Sequence, residues 1–216
     1  MKNLIENLYT KHKARLEEIS LEISEISKFL MEKGGINRNS TSLQDCRMLQ
    51  LLVLERSPDK ILEIGTWIGT TSYAMSLASS EKTKIYTCDV NDEFVDIENS
   101  LSEKIKIHPK THSKNLLKDK YEDLKGISLA WNDAELSLKD SEIIYDLLDD
   151  DFIFATHDFY NSSGNYCKGH RAFKNMKKTL CKNNAKIKLY EPDRDWYYTG
   201  FENNINGCMA IIIGKK

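Results

Sequence analysis

Apolar residues recur at helical spacing between Leu4 and Met31, with glutamate and lysine between them. This stripe predicts one long amphipathic helix or two shorter helices. The pair Gly34-Gly35 is expected to end it, because glycine readily adopts the left-handed conformation found after helices. A second helix should begin at Ser40 or Thr41 and stop before Pro58.

From Lys60 the pattern changes to short apolar runs that alternate with helical stretches. Such alternation predicts a parallel sheet with helices on both faces. The last two apolar runs have only a loop between them, so they should form an antiparallel pair at the sheet edge. The predicted strands are residues 60–65, 84–89, 105–108, 127–132, 151–156, 185–192 and 208–214, and the predicted helices lie near 69–80, 92–103, 139–148 and 169–182.

The pattern as a whole predicts an α/β fold with a Rossmann-like, seven-stranded, mostly parallel sheet and a terminal antiparallel strand pair. We expect an N-terminal helical extension over residues 1–39, acting as a lid or in oligomerisation, and a single α/β domain over residues 40–216. The apolar stripe of the extension should pack against a second copy, giving a homodimer, or cover the protein's own sheet.

Charge and cysteine content narrow the function classes. The chain has 31 basic and 33 acidic residues, a formal net charge of -2, so nucleic acid is not an expected partner. Five cysteines without a CxxC pair indicate reduced thiols. No segment has the apolar length of a signal peptide or a membrane span, so we expect a cytoplasmic protein with no membrane partner.

A glycine turn follows the first predicted strand. It contains Gly65 and Gly69, and Asp89 ends the next strand, 24 residues beyond Gly65. In an open α/β sheet the ligand lies beyond the carboxyl ends of the strands. The glycines allow the backbone to approach a ligand, and a carboxylate at the position of Asp89 can accept the hydroxyls of a ribose. An adenosine-containing ligand fits this pair.

The glycine pattern indicates which ligand it is. Of the three glycines of a dinucleotide site only Gly65 is present, since Trp67 and Thr70 occupy the other two positions. The stretch Glu63-Ile64-Gly65-Thr66-Trp67-Ile68-Gly69 instead resembles the motif of class I S-adenosylmethionine-dependent methyltransferases, with Trp67 in place of the middle glycine. The resemblance implies S-adenosylmethionine as cofactor, bound by Glu63, Gly65, Thr66, Trp67, Gly69, Thr70, Asp89, Ser113, Asn132 and Asp133.

Polar residues also end the fourth and fifth predicted strands. Asn132-Asp133-Ala134-Glu135 and His157-Asp158 should meet in one acidic pocket, because neighbouring parallel strands end at the same edge. These strand ends resemble the small-molecule O-methyltransferases of methyltransferase family 24 and of the catechol type. The resemblance implies transfer to oxygen of a small-molecule acceptor, with Asp133, His157 and Asp158 as catalytic residues.

The pocket allows two chemistries. Carboxylates suit Mg²⁺ or another divalent cation, with Asp133 and Asp158 as ligands and Glu135 as a third. Without metal, His157 would act as a general base, because its ordinary pKa lies near neutral pH. His157 could also simply fix a loop by hydrogen bonds. Leu136 stands where many relatives have histidine, and Phe159 where the catechol type has asparagine.

The sequence therefore predicts an S-adenosylmethionine-dependent methyltransferase that acts on a small molecule. Two other classes stay open: a non-catalytic S-adenosylmethionine-binding or partner protein, and an NAD-linked reductase. The reductase is less favoured, because the chain has neither the three-glycine turn nor an evident Tyr-x-x-x-Lys pair.

Overall fold

The computed structural model describes residues 2–34, 43–90, 102–159, 166–192 and 209–216. Its sheet has seven strands in the order β3-β2-β1-β4-β5-β7-β6. The first five are parallel, and β7 runs antiparallel to both β5 and β6. The strands are β1 (Lys60–Ile64), β2 (Lys84–Cys88), β3 (Ile105–His108), β4 (Ile127–Asn132), β5 (Leu148–Thr156), β6 (Lys186–Tyr190) and β7 (Ala210–Lys215). This order confirms the predicted Rossmann-like fold.

The described helices cover both faces of the sheet. They are α1 (Lys2–Gly34), α2 (Leu43–Arg56), α3 (Thr70–Ala78), α4 (Ser113–Asp119), α5 (Tyr121–Leu124), α6 (Leu138–Leu147) and α7 (Lys168–Lys182). Helix α1 ends at Gly34, as predicted. Most of the helix predicted near 92–103, and the start of the second helix at Ser40 or Thr41, lie outside the described residues.

Two apolar layers form the core, one on each face of the sheet. Along β5, Ile153 and Ala155 pack in the layer under α1 and α2, whereas Phe152 and Phe154 pack in the layer under α6 and α7. This alternation follows from the two-residue period of a strand. Both faces of the sheet are covered, which explains why the strands read as continuous apolar runs.

The stripe of α1 covers the protein's own sheet over the first half of the helix. Ile5, Leu8, Leu16 and Ile19 are buried, and the first three pack in the same layer as side chains of α2. For the first half of α1, the structure therefore shows the alternative in which the stripe packs on the protein's own domain. Among the described residues, no helix has the length and apolar character needed to cross a membrane.

Local sequence explains how α6 and α7 begin. Ser137 and Asp140 form a capping box at the start of α6, each side chain accepting a hydrogen bond from the backbone of the other. Helix α7 begins at Lys168, where Gly169 N donates to Asp158 O at 3.1 Å. The start of α7 is thereby held against the carboxyl end of β5.

Candidate active site

The turn between β1 and α3 lies where the strand order reverses, between β1 and β4. Gly65 and Gly69 have φ values of 96° and 79°, which glycine adopts without strain. A Cβ atom on Gly65 would lie 3.0 Å from Asp133 O. Gly65 is therefore required both by its conformation and by the close approach of β4.

Trp67 occupies the middle position of the same turn in a left-handed conformation, with φ 47°. A side chain there costs about 1–2 kcal/mol. The backbone N of Trp67 donates to Asp89 Oδ2 at 2.9 Å. A hydrogen bond thus joins the turn after β1 to the acidic end of β2. This is expected if both belong to the predicted binding site for the methyl donor S-adenosylmethionine, called the donor site below.

Glu63 is fully buried on β1, and its carboxylate accepts hydrogen bonds from the Thr71 and Ser72 hydroxyls of α3. Burial raises its pKa to about 7, although the hydroxyls of Ser72, Thr71 and Thr87 oppose this. The carboxylate of Glu63, a predicted donor-site residue, thus anchors α3 to the sheet.

The raised pKa of Glu63 predicts a pH-dependent stability. The folded-state pKa of about 7 lies above the value of about 4.3 for a free glutamate. The contribution of Glu63 to the free energy of unfolding is therefore lost as the pH rises from about 4.3 to 7. Glu63→Gln should match the wild type in urea unfolding at pH 4 and be more stable by roughly 1–3 kcal/mol at pH 8. Glu122→Gln, on an exposed side chain, should show no such difference. A Glu63→Gln protein less stable than wild type at pH 8 would contradict this assignment.

The turn after β3 contacts the end of β2. Thr111 N donates to Asp89 O at 2.8 Å, and Ser113 Oγ lies 3.2 Å from His112 Nδ1 at the start of α4. The structure therefore brings Ser113, one of the residues predicted to bind S-adenosylmethionine, to the same edge as Asp89. Thr66 also contacts β2, because its hydroxyl is hydrogen-bonded to the hydroxyl of Thr87.

Two buried side-chain oxygens of the predicted donor site have neither a hydrogen-bond partner nor an ion-pair partner within the described part of the chain. They are Thr70 Oγ1, in the first turn of α3, and Asn132 Oδ1, at the end of β4. The amide of Asn132 donates to Ala134 O at 2.8 Å and to Thr156 Oγ1 at 3.3 Å. Since buried polar atoms are normally paired, both atoms are available to a ligand.

The ends of β4 and β5 bring three predicted catalytic residues together. His157 Nδ1 lies 3.0 Å from Asp158 Oδ1 and 3.5 Å from Asp133 Oδ1. Burial alone would lower the pKa of His157, but hydrogen bonds to Asp133, Asp158 and Asp45 raise it well above its ordinary value. The hydrogen bond from His157, together with the charges of His157 and Lys168, lowers the pKa of Asp158 to about 2.

Asp45 is a member of this cluster that the sequence did not reveal. It lies on α2 with only 3% of its side chain exposed, and its Oδ2 is 3.2 Å from His157 Nε2. One sequence feature could have identified Asp45, namely its position in the apolar stripe of a helix. Met48, Leu49 and Leu52 follow it at helical spacing and are also buried. An acidic residue in such a stripe requires a buried partner.

Lys168, the first residue of α7, is the second member that was missed. Its Nζ lies 3.1 Å from Asp133 Oδ1 and 3.1 Å from Asp158 Oδ2, and it donates to Asp133 O at 2.8 Å. Burial would lower the pKa of Lys168, but the charges of the two carboxylates raise it. The side-chain ammonium group of Lys168 therefore bridges the two predicted metal ligands, Asp133 and Asp158.

The side chains that were predicted to bind a metal fit a divalent cation poorly in this arrangement. Asp133, His157 and Asp158 have ligand atoms within 4.8 Å of one another, but Lys168 engages both carboxylates. Glu135, predicted as a third ligand, has 76% of its side chain exposed and lies 3.4 Å from Arg171. Magnesium and calcium prefer several oxygen ligands at 2.0–2.6 Å. The structure does not bring Glu135 to the cluster.

Two of the positions that depart from the related families lie in the core. Leu136 and Phe159 are each 1% exposed, and the Phe159 ring packs edge-on against Phe173 with ring centroids 5.5 Å apart. Neither residue offers a ligand atom to the pocket. Within the described part of the chain, the cluster at these strand ends brings His157 and Lys168 together with the carboxylates of Asp45, Asp133 and Asp158.

A family model described as O-methyltransferase matches residues 13–116, from α1 through most of α4. The match covers the glycine turn and Asp89. It also crosses the expected boundary at residue 39, so the family's sequence pattern includes part of the N-terminal helix. No curated protein matches the sequence.

Solved structures are similar in fold. The O-methyltransferase TomG from Streptomyces achromogenes, involved in tomaymycin synthesis and solved with S-adenosylmethionine, has 13% identity and a TM-score of 0.64, covering 89% of this chain and 88% of its own. An O-methyltransferase from Bacillus cereus, solved with S-adenosylhomocysteine, has 13% identity and a TM-score of 0.62, with coverage of 94% and 91%. A methyltransferase from Geobacter sulfurreducens has 11% identity and a TM-score of 0.59, with coverage of 90% and 88%.

The family match, the fold and the two strand-end motifs agree with one another. Residues 13–116 match the O-methyltransferase family model, and the chain as a whole has the fold of solved S-adenosylmethionine-dependent O-methyltransferases.

Proposed function

We propose that this protein transfers the methyl group of S-adenosylmethionine to an oxygen atom of a small-molecule acceptor, using Asp133, His157 and Asp158 at the acceptor end. The observation that carries the proposal is the position of two sites at one sheet edge. The turn that contains Gly65 packs so closely on Asp133 that a Cβ atom added to Gly65 would lie 3.0 Å from Asp133 O. The side chain of Asp133 in turn belongs to the acidic cluster around His157.

The donor end is proposed to hold each part of S-adenosylmethionine by ordinary polar contacts. Asp89 accepts the ribose hydroxyls while it keeps the Trp67 N–H bond. Thr70 Oγ1 and Asn132 Oδ1 provide the remaining buried polar atoms toward the methionine part. Glu63 acts through α3, whose first turn presents backbone amides to the methionine carboxylate.

At the acceptor end, His157 is proposed to take the hydroxyl proton at Nδ1, while Asp45 holds the opposite nitrogen and fixes the ring. The acceptor oxygen attacks the methyl carbon as the sulfur–carbon bond breaks. The electron pair stays on sulfur, which leaves S-adenosylhomocysteine. The protein contributes by aligning the two reactants and excluding water.

Calorimetric titration tests the donor proposal. S-adenosylmethionine and S-adenosylhomocysteine should bind, and NAD should not. Asp89→Ala should weaken S-adenosylhomocysteine by about 1.5–3 kcal/mol, the range for a hydrogen bond to a charged group. Asp89→Asn serves as the matched variant, because its amide oxygen can still accept the Trp67 N–H bond. Weaker binding by both variants supports a ribose contact, whereas unchanged affinity in Asp89→Ala would remove Asp89 from the site.

Turnover separates the enzyme from a non-catalytic binding protein. Phenolic and other hydroxylated small molecules, incubated with methyl-labelled S-adenosylmethionine, should yield labelled ether products. Tight S-adenosylhomocysteine binding without turnover of any acceptor would favour the binding-protein alternative, which the fold alone does not distinguish.

The helical extension over residues 1–39 and the domain over residues 40–216 are proposed as functional units, and two copies are proposed to pair through the extension in the cytoplasm. Because Ile5, Leu8 and Leu16 already cover the protein's own sheet, pairing would use the part of α1 beyond Ile19.

A further inference from the structure

Lys168 is positioned by contacts from both catalytic strand ends. It donates to the backbone O of Asp133, after β4, while Gly169 N donates to the backbone O of Asp158, after β5. A Cβ atom on Gly169 would overlap His157 O at 1.6 Å, so only glycine lets α7 begin this close to β5. The lysine side chain is therefore held in the pocket by the packing of its own helix.

The ammonium also balances the charge of the pocket. Asp133 and Asp158 each have an oxygen 3.1 Å from Lys168 Nζ, so one monovalent cation bridges the two carboxylates. Two carboxylates this close need a cation to remain ionised together. A divalent ion added to the same oxygens would lie beside the ammonium and the His157 ring, which disfavours it by charge repulsion.

We propose that the Lys168 ammonium is the resident cation of the acceptor site, in the place that a divalent metal would take, and that methyl transfer by this protein requires no metal. The inference rests on the proposed function. When His157 takes the acceptor proton, negative charge develops on the acceptor oxygen, and Lys168 stabilises it until the oxygen–methyl bond forms. Lys168 keeps its own proton throughout, so the proton balance involves only the acceptor and His157.

Metal binding tests this proposal without any acceptor. Titration of the wild-type protein with Mn²⁺, followed by the electron paramagnetic resonance of free Mn²⁺, should show no stoichiometric site. Lys168→Met, which frees both carboxylates, should gain one site, and that site should disappear in Lys168→Met combined with Asp158→Asn. Lys178→Met, an exposed lysine on the same helix, should behave as wild type.

Turnover provides the second measurement. EDTA should leave wild-type kcat unchanged, and Lys168→Met should lower kcat about 10²-fold, the loss seen when one electrostatic stabiliser of a transition state is removed. Lys168→Arg keeps the charge and should retain more activity than Lys168→Met. S-adenosylhomocysteine affinity should stay at the wild-type value in both variants, which also verifies that they fold.

The outcomes separate this proposal from the proposed function. Loss of wild-type turnover in EDTA with recovery in Mg²⁺, or a stoichiometric Mn²⁺ site in the wild type, would overturn the role of Lys168 and leave methyl transfer intact. Absence of S-adenosylhomocysteine binding would instead refute the proposed function. In that case the Mn²⁺ titration would still decide whether Lys168 holds the cation position.

Discussion

Replacing His157 with alanine should lower kcat about 10²-fold or more, the usual contribution of a general base. The imidazole lies among three carboxylates, with Asp45 on one nitrogen and Asp133 and Asp158 on the other. Its removal takes away the proton acceptor and leaves the buried Asp45 without its imidazole partner. Steady-state kinetics with saturating S-adenosylmethionine would measure the loss, and S-adenosylhomocysteine affinity should stay within about twofold, since His157 is not part of the proposed donor site.

The pH profile distinguishes a base from a structural histidine. The carboxylates raise the pKa of His157 well above its ordinary value, and a general base must be unprotonated, so the active form of His157 becomes more populated as the pH rises. Wild-type kcat should therefore increase as the pH rises above neutral. Asp45→Asn removes one of these carboxylates and should shift the rise to lower pH. A flat profile in both proteins, or full activity in His157→Ala, would leave His157 with only a structural role.

The sequence predicted the fold because each element repeats a simple pattern over many residues. The strands are buried on both faces, so β1, β2 and β4 appear as continuous apolar runs. The first residues of β5 were missed for the opposite reason: Asp149 and Asp150 are polar and exposed at the entrance of the strand. Helix α4, of seven residues, is too short to show a periodic stripe.

The candidate site was predictable only where chain order places residues at strand ends. Asp133, His157 and Asp158 follow β4 and β5 directly, so parallel pairing alone predicts that they meet. Asp45 and Lys168 come from helices, and their approach depends on how α2 and α7 pack on the sheet. No spacing in the sequence encodes that packing, although Lys168 directly precedes the helix that was predicted near residues 169–182.

The position of Glu63 shows a different limit. The sequence identifies an acid two residues before Gly65, and the resemblance implies a donor-binding role. The structure adds that this carboxylate already accepts hydroxyl hydrogen bonds from Thr71 and Ser72 on α3. A residue type and a spacing can therefore identify a functional position while the partner that it contacts in the free protein depends on tertiary packing.

Gly169→Ala should cost both stability and activity. Its Cβ would lie 1.6 Å from His157 O and 2.9 Å from the carbonyl carbon of Asp158, and these backbone atoms can move only if α7 separates from the end of β5. Overpacking of this kind costs typically about 1–3 kcal/mol, and here it displaces Lys168 from the two carboxylates. We expect the thermal midpoint to fall by several degrees and kcat to fall at least as far as in Lys168→Met.

Gly126→Ala is the matched control, because it separates steric overlap from backbone strain. Gly126 precedes β4 at the opposite end of the sheet, with φ 81° and no atom within 4 Å of an added Cβ, so alanine there is strained but meets no neighbour. It should lose about 1 kcal/mol in denaturant unfolding and keep wild-type kcat. If Gly169→Ala also kept wild-type kcat, the close contact between α7 and β5 would not position the catalytic cluster, and the role of Lys168 would have to be explained without it.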